Sequence, residues 1–442
     1  MLINNKFASN TFWLICERVV QMILFLFVGT LSARYLGQYN YGILSYTLSI
    51  ITIFTTISTL GIESVLIKEL LNDPEKVGES IGSVLTMRFI ASLLSILFIY
   101  VLIKFLNPDN NLVIIVCLLQ SFSIVFKTFD VLNFWFQSKL ISKYIVISKL
   151  IATIVVSIWK VSLLLIGTTV EWFALSVTIE TLIISIVTIN IYFKKGGQKF
   201  KFCRYKAKKL LSQGYHFILS GLLVVIYTQI DKIMLGKILD QSSVGVYSVA
   251  TTVSNLWCFV PTAIITSATP LILQAKEISS NEFHRRLRQL YCTIFWFGVI
   301  VCTVLSIISK PLIYILYGSE YIAASQPMVI VIWSTIFALL GSARGIWIVG
   351  ESLNKYTKYY VGIGAITNII LNYILIKGMG INGIAVSTLI SQIMVALISP
   401  LVIKKTRIST KLMLEGIFFK NLNKEQGDLI YETKIKKNLL ND

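Results

Sequence analysis

Phe193-Lys-Lys-Gly-Gly-Gln-Lys-Phe-Lys-Phe-Cys-Arg-Tyr-Lys-Ala-Lys-Lys209 holds eight positive charges and no negative one. Long apolar segments lie on both sides, six before it and six after it. Lys and Arg resist translocation, so a short basic loop beside membrane spans stays on the cytoplasmic face. The stretch therefore reads as an inside linker, 194–210, near the middle of a 442-residue chain. Orientation accounts for most of its charge, and a disordered basic loop would serve that purpose.

The bulk composition agrees with a polytopic membrane protein. Hydrophobic residues make up 55% of the chain, charged residues only 14%, and mean hydropathy is +0.77. A soluble chain of this size carries far more charge. The net charge of +19 does not point to nucleic acid, because the cations lie mostly in short loops between apolar runs. Five of the six cysteines, Cys16, Cys117, Cys258, Cys292 and Cys302, fall in or beside apolar runs; Cys203 sits in the linker. None forms a CxxC pair, so neither a disulfide framework nor a metal site is indicated. Residues 1–10 lead into a long apolar run without a small-residue cleavage site, which reads as a first span.

A span needs roughly 20 mostly apolar residues. That rule places spans at about 10–31, 41–66, 82–103, 112–135, 145–166 and 171–193, then 214–236, 246–272, 290–310, 327–349, 358–377 and 381–403. The expectation is an all-α membrane protein of about twelve spans: a six-helix lobe over 1–193, the linker, a second lobe over 211–403, and a cytoplasmic tail over 404–442. With both termini inside, inner segments hold 28 of the 40 Lys and Arg. Outer loops hold five, namely Arg34, Lys104, Lys237, Lys310 and Lys377, and seven lie within spans. That asymmetry is the one the positive-inside rule demands.

The halves also resemble one another. Residues 31–46 and 234–249 align at an offset of 203, pairing Leu36 with Leu239, Gln38 with Gln241, Gly42 with Gly245 and Ser45 with Ser248. Arg34 lines up with Lys237. Six spans per half give both halves one orientation, the arrangement of parallel repeats about an axis along the membrane normal.

Charges at membrane depth are costly and mark pathways or pairings. The candidate substrate cations are Arg18, Arg88, Lys127, Lys160, Lys232 and Arg344; the candidate coupling or pairing acids are Glu17, Glu63, Asp130, Glu180 and Asp231. Lys149, and Arg344 near an inner span end, could instead snorkel. Lys127 and Asp130, three apart, could pair on one helix face. For Arg88 the structural alternative is a pair with Glu17 or Glu63. A lumen with positive excess would attract an anionic substrate, especially one carrying phosphate. No GxxxxGK[ST] phosphate loop occurs, and the two histidines, His216 and His284, make a metal site or proton relay a poor fit.

Three stretches carry a family resemblance. They are Ala33-Arg-Tyr-Leu-Gly37 with Tyr41-Gly42; Asp231-Lys232 with Gly236 and Val244-Gly-Val-Tyr247; and Tyr317-Gly318 with Tyr321, Ala324 and Pro327. Over roughly 5–405 the chain resembles the Wzx-type polysaccharide-repeat flippases of the multidrug/oligosaccharidyl-lipid/polysaccharide exporter superfamily. The resemblance implies two six-helix lobes, alternating access and a cationic cavity for an undecaprenyl-pyrophosphate-linked glycan of an O-antigen or capsule. It implies a bacterial inner-membrane transporter, not an enzyme, without a cofactor; H+, Na+ or the membrane potential is left open as what drives turnover. Polysaccharide polymerase and a chain-length regulator would be its partners. Arg18, Arg88 and Lys127 are selected by position and chemistry, not by a family motif. Two other readings remain: a cation-coupled exporter of the superfamily, which would need lumenal acids, and a glycan polymerase, which would need a large catalytic loop.

Overall fold

The computed structural model describes residues 20–420. They are helical almost throughout, without a strand among them. In order, the principal helices are α1 (Thr30–Ser58), α2 (Glu63–Asn72), α3 (Val77–Leu106), α4 (Asn111–Ser121), α5 (Ser123–Lys127), α6 (Val131–Ser138), α7 (Lys143–Ile166) and α8 (Val170–Lys194). After the linker come α9 (Arg204–Ile238), α10 (Gln241–Leu256), α11 (Phe259–Ile278), α12 (Ser280–Ile307), α13 (Ser309–Tyr317), α14 (Ser325–Gly350), α15 (Thr357–Ile393), α16 (Ser399–Val402) and α17 (Arg407–Ile417).

Nine stretches among the described residues are long and apolar enough to cross a bilayer, and the bent pair α10–α11, at 45°, makes a tenth. Two of the nine, Val20–Asn72 and Asn354–Val402, run to 53 and 49 residues, more than twice the roughly 20 a span needs. Each is broken at a glycine with positive φ, Gly37 (70°) and Gly380 (58°). Only glycine adopts that backbone without a Cβ penalty. Counting each as two spans gives twelve, the number expected from hydropathy. Helix starts follow local chemistry. Asn110 accepts from the Val113 amide, and Ser279 from that of Glu282 at 3.1 Å in an S-x-x-E capping pattern.

Two compact units can be distinguished. The first comprises Met1–Ala250, Lys310–Pro327 and Ile369–Ile384. Its core joins Ile62, Leu66, Val84, Trp135, Phe136 and Tyr192 with Leu210 of α9, so α9 is grouped with the helices that precede the linker. The second comprises Thr251–Ser309, Met328–Asn368 and Ala385–Asp442. Its core packs Phe283, Leu287, Tyr291 and Ile294 of α12 with Ile336, Leu340 and Trp347 of α14.

The linker is not a loose loop. The Lys201 amide donates to the Gly78 carbonyl at 3.0 Å, and the Cys203 amide donates to Ser83 Oγ at 2.9 Å. Gln198 Oε1 accepts from the Gly78 amide at 2.7 Å. Lys206 reaches Glu69 and Asp73 at 3.0 and 2.7 Å, and Lys209 reaches Glu69 at 2.8 Å. Eight like charges would repel one another in a free loop; carboxylates at the end of α2 and polar groups at the start of α3 hold the segment instead. The start of the tail is also ordered. Leu412 and Met413 of α17 are buried in the α12 core, and Trp296 donates to the Ile417 carbonyl at 3.1 Å.

Candidate functional site

The sequence-selected charges divide into distinct environments. Glu17 and Arg18 lie outside the described residues. Arg88, on α3, is 3% exposed. Its Nε donates to the Thr59 carbonyl at 3.1 Å, a free acceptor just past the end of α1. Its guanidinium lies 5.8 Å from the centre of the Phe134 ring. Nη2 is buried and makes no hydrogen bond among the described residues. It borders a cavity of about 50 Å³ shared with Ser58, Glu63, Lys127, Thr128 and Asp130. That volume holds a few waters; it is too small for a sugar.

Lys127 and Asp130 do not form the expected local pair. The helix tightens to a 3-10 turn over Thr128–Asp130, which keeps residues three apart on one side, yet the two line one cavity without an ion pair, and Asp130 accepts from Asn133 at 3.4 Å. Neither they nor Arg88 takes part in an ion pair among the described residues. Two cations and two carboxylates therefore face one small polar cavity without being locked to one another. Lys160 on α7 and Glu180 on α8 are half-buried and likewise outside any ion pair among the described residues.

In the second unit Arg344 does not snorkel. It is 2% exposed, and it donates to the carbonyls of Val395, at 3.0 Å, and Ala396. Those carbonyls lie in a π-helical turn, Met394–Ile398, which leaves acceptors that the guanidinium fills. Asp231 on α9 is 5% exposed and accepts from Tyr247 and Asn372, each at 2.8 Å. Lys232, beside it, points elsewhere and is half-buried. Among the described residues no group of three or more His, Cys, Asp or Glu is close enough to hold a metal ion.

The three family-like stretches converge at one end of the first unit. Gly42 and Gly245, equivalent in the repeat, lie face to face. A Cβ at Gly42 would overlap the Gln241 carbonyl and sit 3.0 Å from the Gly245 nitrogen. A Cβ at Gly245 would overlap the Gln38 carbonyl and sit 3.2 Å from the Gly42 nitrogen. Residue i meets j′ while j meets i′, the reciprocity of a two-fold axis. Small residues let helix backbones approach this closely in a membrane. Side chains latch the crossing. Tyr321 donates to the Ala33 carbonyl at 2.9 Å, and Gln38 donates to that of Glu320. Arg34 donates to the carbonyls of Tyr314 and Ile315 in the last turn of α13; Lys237 donates to that of Leu106 at 2.8 Å, the last residue of α3. Each of these repeat-related cations thus caps a helix C-terminus contributed by the other half, where a cation is favourable.

The family model described as "Polysaccharide biosynthesis protein" matches residues 7–276, more than half of the chain. The chain belongs to the polysaccharide biosynthesis protein family. A second model, described as "MatE", matches residues 217–374. Two curated relatives come from Haloferax volcanii. "Probable flippase AglR" is 28% identical over 194 residues, 43% of this chain and 40% of that protein. "Probable low-salt glycan biosynthesis flippase Agl15" is 25% identical over 200 residues, 42% of this chain and 39% of that protein. The chain thus matches about two fifths of the length of these relatives. Among solved structures, lipid II flippase MurJ in an inward closed conformation superposes with a TM-score of 0.73 at 18% identity, covering 96% of both chains. An inward-facing multidrug resistance MATE family transporter gives 0.69 at 11%, covering 91% of this chain and 99% of its own. These likenesses show the fold.

Sequence reasoning missed Asn372 as the partner of Asp231. The signal was available: a carboxamide in the apolar run Ile369-Ile-Leu-Asn-Tyr-Ile-Leu375 needs a polar neighbour.

Proposed function

We propose that this family member is a flippase that moves an undecaprenyl-pyrophosphate-linked oligosaccharide repeat unit, of an O-antigen or a capsule, across a bacterial inner membrane by alternating access. The observation that carries the reading is the buried Arg88 guanidinium. Nε is committed to a backbone carbonyl, which fixes the side chain and leaves Nη2 facing a polar cavity beside Lys127. A guanidinium stays charged when partly desolvated and grips phosphate oxygens through parallel N–H bonds. In the present conformation the cavity admits water; a wider conformation would admit the pyrophosphate while the glycan travels through an aqueous path. The names of the curated relatives support the transport class.

The same reading puts the linker and both termini in the cytoplasm, following the charge asymmetry, and the Gly42–Gly245 crossing on the opposite side. The crossing would then close the exit while the cytoplasmic side receives substrate. A polymerase with its chain-length regulator would consume the delivered unit. A second reading, a cation-coupled exporter, is favoured by the carboxylates of Glu63 and Asp130 in the same cavity and by the MatE match. Either carboxylate could carry a coupling H+ or Na+.

A deletion strain tests the proposal. Lipid-linked repeat units should accumulate facing the cytoplasm and clear when the gene is restored. Accumulation facing outward would indicate a polymerase defect instead, and an unchanged lipid-linked pool would remove the glycan as substrate.

A further inference from the structure

The opposite end of the first unit carries a second cavity, about 230 Å³, unrelated to the buried charges. Its wall is largely apolar, with Leu70, Leu71, Val77 and Trp135, and Lys139 and Gly196 stand at its rim. Two backbone features shape that rim. Leu140 holds a φ of 56°, unusual for a residue with a Cβ, in the tight turn between α6 and α7. Gly196, at φ 79°, ends α8 by sending the Gly197 amide back to the Tyr192 carbonyl at 2.9 Å. These turns bring three lysines onto one aromatic patch. Lys139 Nζ lies 4.5 Å from the centre of the Trp135 ring. Lys143 and Lys195 lie 5.1 and 5.0 Å from that of Tyr144. The rings are continuous: Trp135 to Phe136 at 5.1 Å, then Phe136 to Tyr144 at 6.1 Å.

Charge pairing separates this patch from its surroundings. Lys206 and Lys209 nearby are matched with Glu69 and Asp73. None of Lys139, Lys143 and Lys195 takes part in an ion pair among the described residues, and all three are exposed. Leu71, at 60% exposure, and Leu140, at 57%, flank them. Uncompensated cations beside an apolar hollow match an anionic amphiphile. The hollow is smaller than the roughly 300–1,000 Å³ of a pocket that encloses a whole small molecule. It suits a ligand that stays mostly in the bilayer, with the start of one acyl chain against the apolar wall and its phosphate at the lysines.

We propose that Lys139, at the rim of this cavity, together with Lys143 and Lys195 on the adjoining Tyr144 ring, binds the phosphate headgroup of an anionic bilayer phospholipid. The inference rests on the cytoplasmic placement of the linker, since that leaflet carries the negative surface potential that basic juxtamembrane residues meet. Each lysine near such a surface strengthens association by roughly fivefold.

The test is lipid retention by the purified full-length protein in native mass spectrometry. Phosphatidylglycerol, phosphatidylcholine with identical chains, and undecaprenyl pyrophosphate are offered separately. Wild type should retain phosphatidylglycerol over phosphatidylcholine. The triple variant K139Q/K143Q/K195Q should lose that preference by at least about tenfold, while K139R/K143R/K195R should keep it. The arginine variant guards against misfolding, since it changes the same positions and preserves charge. Equal retention of the two phospholipids by wild type would overturn the proposal, as would an unaltered preference in the glutamine variant. Selective retention of undecaprenyl pyrophosphate alone would assign the patch to the transport substrate and also overturn it. Retention is read without reference to sidedness. Labelling of a cysteine at position 195 from outside intact cells would overturn the topology separately.

Discussion

Gly42→Ala gives the sharpest stability test of the crossing. The added carbon would overlap the Gln241 carbonyl oxygen and stand 2.7 Å from its carbonyl carbon. Carbon atoms pack at about 3.5 Å or more, so the carbonyl carbon alone must retreat by roughly 0.8 Å, and the nearer oxygen by more. No rotamer relieves this, because the obstructing atoms are main chain. Overpacking of this kind costs about 1–3 kcal/mol, and backbone-on-backbone overlap belongs at the upper end. Alanine returns about 1 kcal/mol through its higher helix propensity. The net, about 2 kcal/mol, shifts the balance between crossed and separated states about thirtyfold toward separation. Gly245→Ala should act alike, since its methyl meets the Gln38 carbonyl. Gly341→Ala, with nothing within 4 Å of the new carbon, is the control and should be neutral or stabilising. Spin labels at the exposed positions Tyr39 and Asp240 would report the distance across the crossing by pulsed electron resonance. A longer population should appear in both glycine variants. Wild-type distance distributions in both would refute the steric argument.

Arg88→Ala should cut substrate affinity about tenfold to a hundredfold, from the loss of a charge-assisted hydrogen bond of about 1.5–3 kcal/mol. Arg88→Lys should recover part of it, and immunoblots should show unchanged protein; loss of the alanine protein from the membrane would favour a purely structural role. Tyr247→Phe removes one donor to the buried Asp231 carboxylate and should destabilise by a similar 1.5–3 kcal/mol; an unchanged melting temperature in detergent would contradict this. Replacing Arg34 or Lys237 by Gln removes a cation from a helix C-terminus, worth about 0.3–1 kcal/mol each, and the Tyr39–Asp240 distance should broaden for both. Linker docking should depend on pH. The Lys206 ammonium hydrogen-bonds Asp73 and holds its carboxyl below the ordinary value, so this contribution is present above about pH 4 and is lost as pH falls through the depressed value. Burial pushes the Lys206 ammonium down, but the Asp73 and Glu69 bonds outweigh it and hold the group above its ordinary value. Its contribution is therefore complete at neutral pH. Hydrogen-exchange protection of the Lys201 and Cys203 amides should persist at about pH 5 and weaken below about pH 3; protection independent of pH would contradict the pairing.

Features set by local pattern were legible in the sequence. Twenty-residue apolar runs mark spans because the bilayer permits little else. The offset-203 repeat located both breaks, at Gly37 and at Leu239–Asp240, since each half turns at the same point of its pattern. It also named Gln38, Gly42, Gln241 and Gly245, though nothing local said that they would meet one another. Long-range satisfaction of polar groups was not legible. Charge asymmetry registers Lys206 as a cytoplasmic cation and is blind to Glu69, 137 residues away. Arg344 read as a substrate cation or a snorkelling one, because a π-helical turn leaves no sequence signature strong enough to predict the acceptors at Val395 and Ala396. The Lys127–Asp130 spacing allowed a local pair or a lumenal role; it placed both residues on one side, where they line one cavity, but spacing alone does not say whether the two charged ends meet.

The most direct measurement is flipping in proteoliposomes that contain only this protein and a fluorescent undecaprenyl-pyrophosphate-linked oligosaccharide. A membrane-impermeant quencher reads the fraction of label in the outer leaflet over time. Wild type should bring the protected inner-leaflet label within reach of the quencher at a rate well above protein-free vesicles, and Arg88→Ala should slow it at least tenfold at equal reconstitution. A wild-type rate equal to that of empty vesicles, or an Arg88→Ala rate equal to wild type, would contradict the account.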